Sequence, residues 1–156
     1  MGMPEPELVS LEATGARVRL RWGPPSAWEL ESEPDWSDLE GIRLVAAVFE
    51  DGATLGVAAI RPRDARGHGD DAVAARFVDA EGARTETSDA LLSVEYDSAR
   101  MPRRLGIEVW PDSDSAPLRI AADRDPGDVD DPDAVNMTFR LGGMAGRGTY
   151  ETLRES

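Results

Sequence analysis

Ala16-Arg17-Val18-Arg19-Leu20-Arg21-Trp22 alternates apolar residues with arginine without a break. Successive side chains of a β-strand point to opposite faces, so this run sets Arg17, Arg19 and Arg21 against Val18, Leu20 and Trp22. A helix would scatter the same residues around its axis and give no apolar stripe. The run is therefore a half-buried strand. Thr14-Gly15 just before it reads as a tight turn, and residues 8–11 as a short strand leading in.

Working outward, the same period recurs. Residues 42–49 and 54–60 flank Glu50-Asp51-Gly52-Ala53, where glycine can supply a positive φ, and this is the clearest hairpin in the chain. Residues 72–79 and 83–87 flank a second turn at Ala80-Glu81-Gly82. Residues 91–96, 104–110, 118–122, 135–141 and 147–153 continue the series, the last two joined by the glycine-rich run 142–146. The Pro- and acid-rich stretch 23–41 reads as a loop, and only residues 37–43 or 70–76 have room for a brief helical turn. The expectation is an all-β domain, an antiparallel meander of about nine or ten strands closed as a barrel or folded as a sandwich.

Composition narrows the function classes. At 156 residues the chain has the size of one domain, read here as a single β unit over 1–156 with a disordered start (1–7) and an acidic loop (123–134). No apolar run reaches the roughly 18 residues a membrane-spanning helix requires. The N-terminus lacks the basic start and apolar stretch of a secretion signal, and there are no cysteines; both point to a reducing, cytoplasmic setting. A net charge of −14 repels nucleic acid and anionic lipid, so neither nucleic acid nor membrane is an expected partner. All seventeen basic residues are arginine and none is lysine, a usage that fits a GC-rich bacterial genome.

Candidate sites are few. The run from Asp123 to Asp133 clusters carboxylates that could meet Ca²⁺, but its spacing is not that of an EF-hand loop, and it reads as a solvated acidic loop. His68, the single histidine, lies between glycines, where catalytic geometry is hard to hold. The run Gly142 to Gly148 leads into an extended segment rather than a helix, so it reads as a hairpin turn and not a phosphate loop. Trp22, Trp28, Trp36 and Trp110 can either fill a core or line the mouth of a barrel cavity, and Tyr96 joins them as a ligand-binding candidate. No catalytic set, metal site or cofactor site is expected.

Three segments carry a resemblance: the hairpin 48–55 leading to Arg61-Pro62; Val94-Glu95-Tyr96-Asp97 followed by Met101-Pro102-Arg103; and Phe139-Arg140-Leu141-Gly142 with Gly146-Arg147-Gly148-Thr149-Tyr150-Glu151. With these the chain resembles the lipocalin-like family of carotenoid hydratases of the hydroxyneurosporene synthase type and AttH-like proteins. The resemblance covers about the last two-thirds of the chain and corresponds to the second β domain of that family alone. Trp22-Gly23-Pro24 is similar to the Trp-Gly core of a family motif, but Leu20, Arg21 and Pro25 stand where relatives carry polar groups, so hydratase activity does not carry over.

The resemblance and the pattern together give an expected lipocalin-like module, non-catalytic, that binds a small apolar or amphipathic ligand in a cavity lined by Val, Leu, Ile and Trp. A homodimeric or other assembly domain is the first alternative. An enzyme acting as a hydratase, isomerase or lyase on a terpenoid-like substrate through carboxylates and Tyr96 or Tyr150 is the second.

Overall fold

The computed structural model describes residues 7–23, 27–66, 70–111, 116–127, 131 and 133–154. These form twelve strands and no α-helix: β1 (Glu7–Ala13), β2 (Ala16–Gly23), β3 (Ala27–Leu30), β4 (Leu39–Phe49), β5 (Thr54–Pro62), β6 (Ala72–Val78), β7 (Arg84–Thr87), β8 (Ala90–Tyr96), β9 (Pro102–Val109), β10 (Leu118–Arg124), β11 (Ala134–Leu141) and β12 (Met144–Leu153). β1 to β3 make a small antiparallel sheet. The other nine form one antiparallel sheet in the order β7-β6-β5-β4-β12-β11-β10-β9-β8, nearly closed into a barrel.

The way this barrel closes positions everything else. Antiparallel alternation around nine strands leaves β7 and β8 running in the same direction, with only Ser88 and Asp89 between them. They are two halves of one wall position, the first pairing with β6 and the second with β9. The β6–β7 ladder ends at Ala75↔Thr87. Among the described residues Ala72, Val73 and Ala74 of β6 therefore have no ladder partner on that side, which leaves an unladdered seam between β6 and β8 at one end of the barrel.

Inside the barrel, Phe49, Leu55, Leu105, Ile107, Met137, Phe139 and Tyr150 interlock with small residues such as Ala47, Ala59 and Ala122. The small sheet covers the outer face of β4 and β5. Val18, Leu20, Trp22 and Trp28 pack there on Ile42, Leu44, Ala58 and Ile60. β5 is thus buried on both faces, which explains its nearly continuous apolar run. The seat of Trp22 is Gly56: a Cβ built on Gly56 would overlap the six-membered ring of Trp22. The Trp22 ring also meets Trp28 edge-on at 4.9 Å between centroids, and the Arg76 guanidinium lies 5.7 Å from its centre.

Several expectations are corrected here. Twelve strands replace the expected nine or ten, and the barrel carries a second layer rather than standing alone. β3 lies inside the stretch read as a loop; its four residues gain their ladder only from β2. The two places with room for a helical turn are the start of β4 and the start of β6, claimed by pairing with β5. The acidic loop is shorter than 123–134, because Asp123 is laddered to Thr138 and Arg104 and Arg124 to Met137, which places both residues in β10, and Ala134 opens β11. Residues 1–6 and His68 lie outside the described residues, while Glu7 opens β1.

The seat of Trp22 gives the first prediction. Gly56→Ala should displace the indole and cost about 1–3 kcal/mol, in the range of overpacking defects. Urea denaturation of the variant beside Gly106→Ala, where an added Cβ meets nothing within 4 Å, checks it.

Candidate functional site

At the end of the barrel where the seam opens lies a cavity of about 570 Å³, lined by Glu40, Gly41, Arg43, Arg61, Val94, Tyr96, Arg100, Thr152 and Arg154. Strand parity accounts for much of this lining. The inward-facing series of β4 runs Phe49, Ala47, Val45 and then Arg43; that of β5 runs Leu55, Val57, Ala59 and then Arg61. On β12 it runs Tyr150, Thr152 and then Arg154, just past the strand. Each apolar series gives way to arginine at the same end of the barrel, so the dry core passes directly into a cationic mouth.

The carboxylates near these arginines are fewer than the arginines. Asp71, its side chain almost fully buried, meets Arg43 at 2.7 Å and Arg61 at 3.5 Å, so one carboxylate is shared by two cations. Glu40 reaches Arg61 only at 3.9 Å, and Asp133 reaches Arg154 at 3.3 Å across an exposed surface. Arg100 has no ion pair among the described residues.

Arg100 is delivered by the turn between β8 and β9. Asp97 organises that turn: its Oδ1 accepts from the Ala99 and Met101 N–H groups, and its Oδ2 from Arg124 at 2.9 Å. The Met101 N–H first, and then Arg124, hold the Asp97 carboxyl below the usual carboxylate range. Arg124 also donates to the Pro102 carbonyl at 3.1 Å, which fixes the turn to the end of β10.

Tyr150 is fully buried, and Thr152 and Tyr96 of the cavity lining lie within hydrogen-bonding reach of its hydroxyl. Burial pushes it up to about 12, with Tyr96 adding to the shift and Thr152 and Arg43 opposing it. At neutral pH it is a proton-bearing donor adjoining three cavity-lining side chains.

Of the ligand-contact residues expected from sequence, Tyr96 alone lines this cavity, half-exposed at its rim. Trp22 and Trp28 are buried between the two sheets, and Trp36 packs on the same outer cluster, its indole N–H donating to Glu33. Trp110, half-buried, follows β9 and donates its backbone N–H to the Asp89 carbonyl at 2.9 Å. The expected apolar lining of Val, Leu and Ile is the filled core below; only Val94 of those residue types faces the cavity. The glycine-rich run forms the turn between β11 and β12, with Leu141 paired to Met144, and Arg147 points to solvent. Among the described residues no group of three or more His, Cys, Asp or Glu could hold a metal ion, and no helix is long and apolar enough to cross a membrane.

The arginines were missed because a charge in a strand, at its end or in a turn is ordinarily solvated. The signal was present in the parity: Arg43 and Arg61 share the phase of the inward apolar residues.

Tyr150 makes stability depend on alkaline pH. The folded state keeps a proton that the unfolded chain has already lost above pH 10, so this contribution is full below pH 10 and declines as pH rises through about 12. The loss should be roughly 2–3 kcal/mol for a shift of this size. With no lysine in the chain, few other groups titrate in that window. Urea denaturation at pH 9 and pH 11.5 should show the decline in the native protein and little of it in Tyr150→Phe.

No family model matches the chain, and no curated protein or solved structure matches it either.

Proposed function

We propose that this protein is a non-catalytic binding module that holds one small amphipathic ligand at the open end of its barrel. The observation that carries the reading is the cavity of about 570 Å³ lined by residues of β4, β5, β8 and β12 and by the β8–β9 turn. Its volume lies within the span of roughly 300–1,000 Å³ usual for small-molecule sites. Its walls combine a cationic rim with Val94 and the Tyr96 ring, which suits a ligand with a polar head and an apolar body. The residues that shape it come from opposed ends of the chain, from β4 to β12, and the turn that carries Arg100 is braced from below.

The lipocalin-like resemblance supports the same reading, since a barrel open at one end is the architecture it implies. The assembly alternative would rest on the edge of β1, which among the described residues pairs only with β2.

Two fluorescent probes of one aromatic skeleton test the reading: N-phenyl-1-naphthylamine, which is neutral, and 1-anilinonaphthalene-8-sulfonate. At least one should bind saturably at one per chain, and Val94→Trp, which fills the cavity, should abolish it. Thr152→Phe serves as a second obstruction should Val94→Trp fold poorly. Binding by neither probe, or binding that survives both obstructions, overturns the proposal. Native mass spectrometry of the same samples reports any dimer, the outcome that would move weight to assembly.

A further inference from the structure

Three hairpins of the barrel are built on one five-residue turn. In Phe49-Glu50-Asp51-Gly52-Ala53 the first N–H donates to the fifth carbonyl at 2.8 Å, and the fourth N–H to the first carbonyl at 2.9 Å. Asp79-Ala80-Glu81-Gly82-Ala83 repeats both bonds at 3.0 Å. Asp97-Ser98-Ala99-Arg100-Met101 repeats them again, at 3.0 and 2.9 Å. The fourth residue is left-handed in all three, with φ of 93° at Gly52, 89° at Gly82 and 64° at Arg100.

Glycine takes that conformation without steric cost, and an arginine does not. The two glycine turns lie at the closed end of the barrel, and the arginine turn lies at the mouth. Strained non-glycine residues persist where the surroundings over-determine them, commonly at ligand sites. Asp97 caps this turn from within as Asp79 caps the second glycine turn, and what is added here is Arg124, which pins Asp97 and donates to the Pro102 carbonyl. The strained residue lines the cavity, with no ion pair among the described residues, together with two arginines that share one buried carboxylate.

We infer that the mouth cavity selects ligands whose head group is an oxyanion (a carboxylate, sulfonate or phosphate monoester) and that Arg100 is the residue that determines this selectivity. The inference rests on the binding reading above and deepens it. The guanidinium fork matches such a head group, and charge-assisted hydrogen bonds of this kind are the strong ones.

The test titrates the native protein and Arg100→Gly with the sulfonate and neutral probes, in low and high salt. The native protein should bind the sulfonate about ten-fold more tightly than the amine, and salt should weaken the sulfonate alone. Arg100→Gly should lose most of that preference and melt about 2–4 °C higher as the left-handed strain is relieved. A gain in stability with a loss of anion affinity separates a ligand-contacting role from a structural one. Equal affinities for both probes in the native protein overturn the inference while leaving the binding reading intact. An Arg100→Gly protein that keeps its sulfonate preference overturns the role of Arg100. Binding of neither probe removes the binding reading itself, and the inference with it.

Discussion

Everything in this molecule hangs on β5 being buried on both of its faces. One face lines the barrel through Leu55, Val57 and Ala59; the other supports the small sheet through Gly56, Ala58 and Ile60. The contact that locks the two layers is the Trp22 ring lying on Gly56, where the missing side chain makes the space. Arg76 closes the other side of the indole pair, its charge held against both rings and paired with Glu86 at 3.3 Å. Such an interface has two consequences. It makes one cooperative unit of two hydrophobic clusters, and it fixes β4 and β5 rigidly, so that Arg43 and Arg61 emerge at a defined height above the core.

The opening of the barrel follows from pairing rather than from any special residue. A sheet of nine strands whose terminal strands run in the same direction cannot join them by an antiparallel ladder. The chain resolves this by letting β7 serve β6 and β8 serve β9, with two residues between. The side chains of β4, β5 and β12 that line the cavity are the last of their inward series.

Charge distribution gives the cavity its character. The chain as a whole carries −14, a field that discourages polyanions at long range. Within the mouth the balance is reversed, since four arginines line it and carboxylates are shared or distant. At physiological ionic strength the screening length is about 8 Å, so a small anion inside the cavity responds to the near arginines while the distant acidic surface is largely screened. An extended polyanion would still meet that surface. A selective site for small oxyanions is therefore compatible with an acidic protein, for reasons of length scale alone.

Much of this architecture is legible in the residues themselves. The alternation of Arg17, Arg19 and Arg21 with Val18, Leu20 and Trp22 determined a strand with one buried face, and the structure buries that face. Gly52 and Gly82 marked two hairpins because only glycine turns so cheaply to positive φ. Local pattern determined the fold class, since the period of a strand is written in consecutive residues. What lay beyond it was everything that depends on partners far away in the chain. β3 exists because β2 offers it an edge; Trp22 and Trp28 are buried because a second sheet lies over β4 and β5; Arg43, Arg61 and Arg154 line one cavity because β4, β5 and β12 are neighbours. Arg100 could be read in sequence only as a polar turn residue, and its left-handed backbone and its place on the cavity were decided by the tertiary structure, because register and barrel closure are set by contacts between residues that no local window contains.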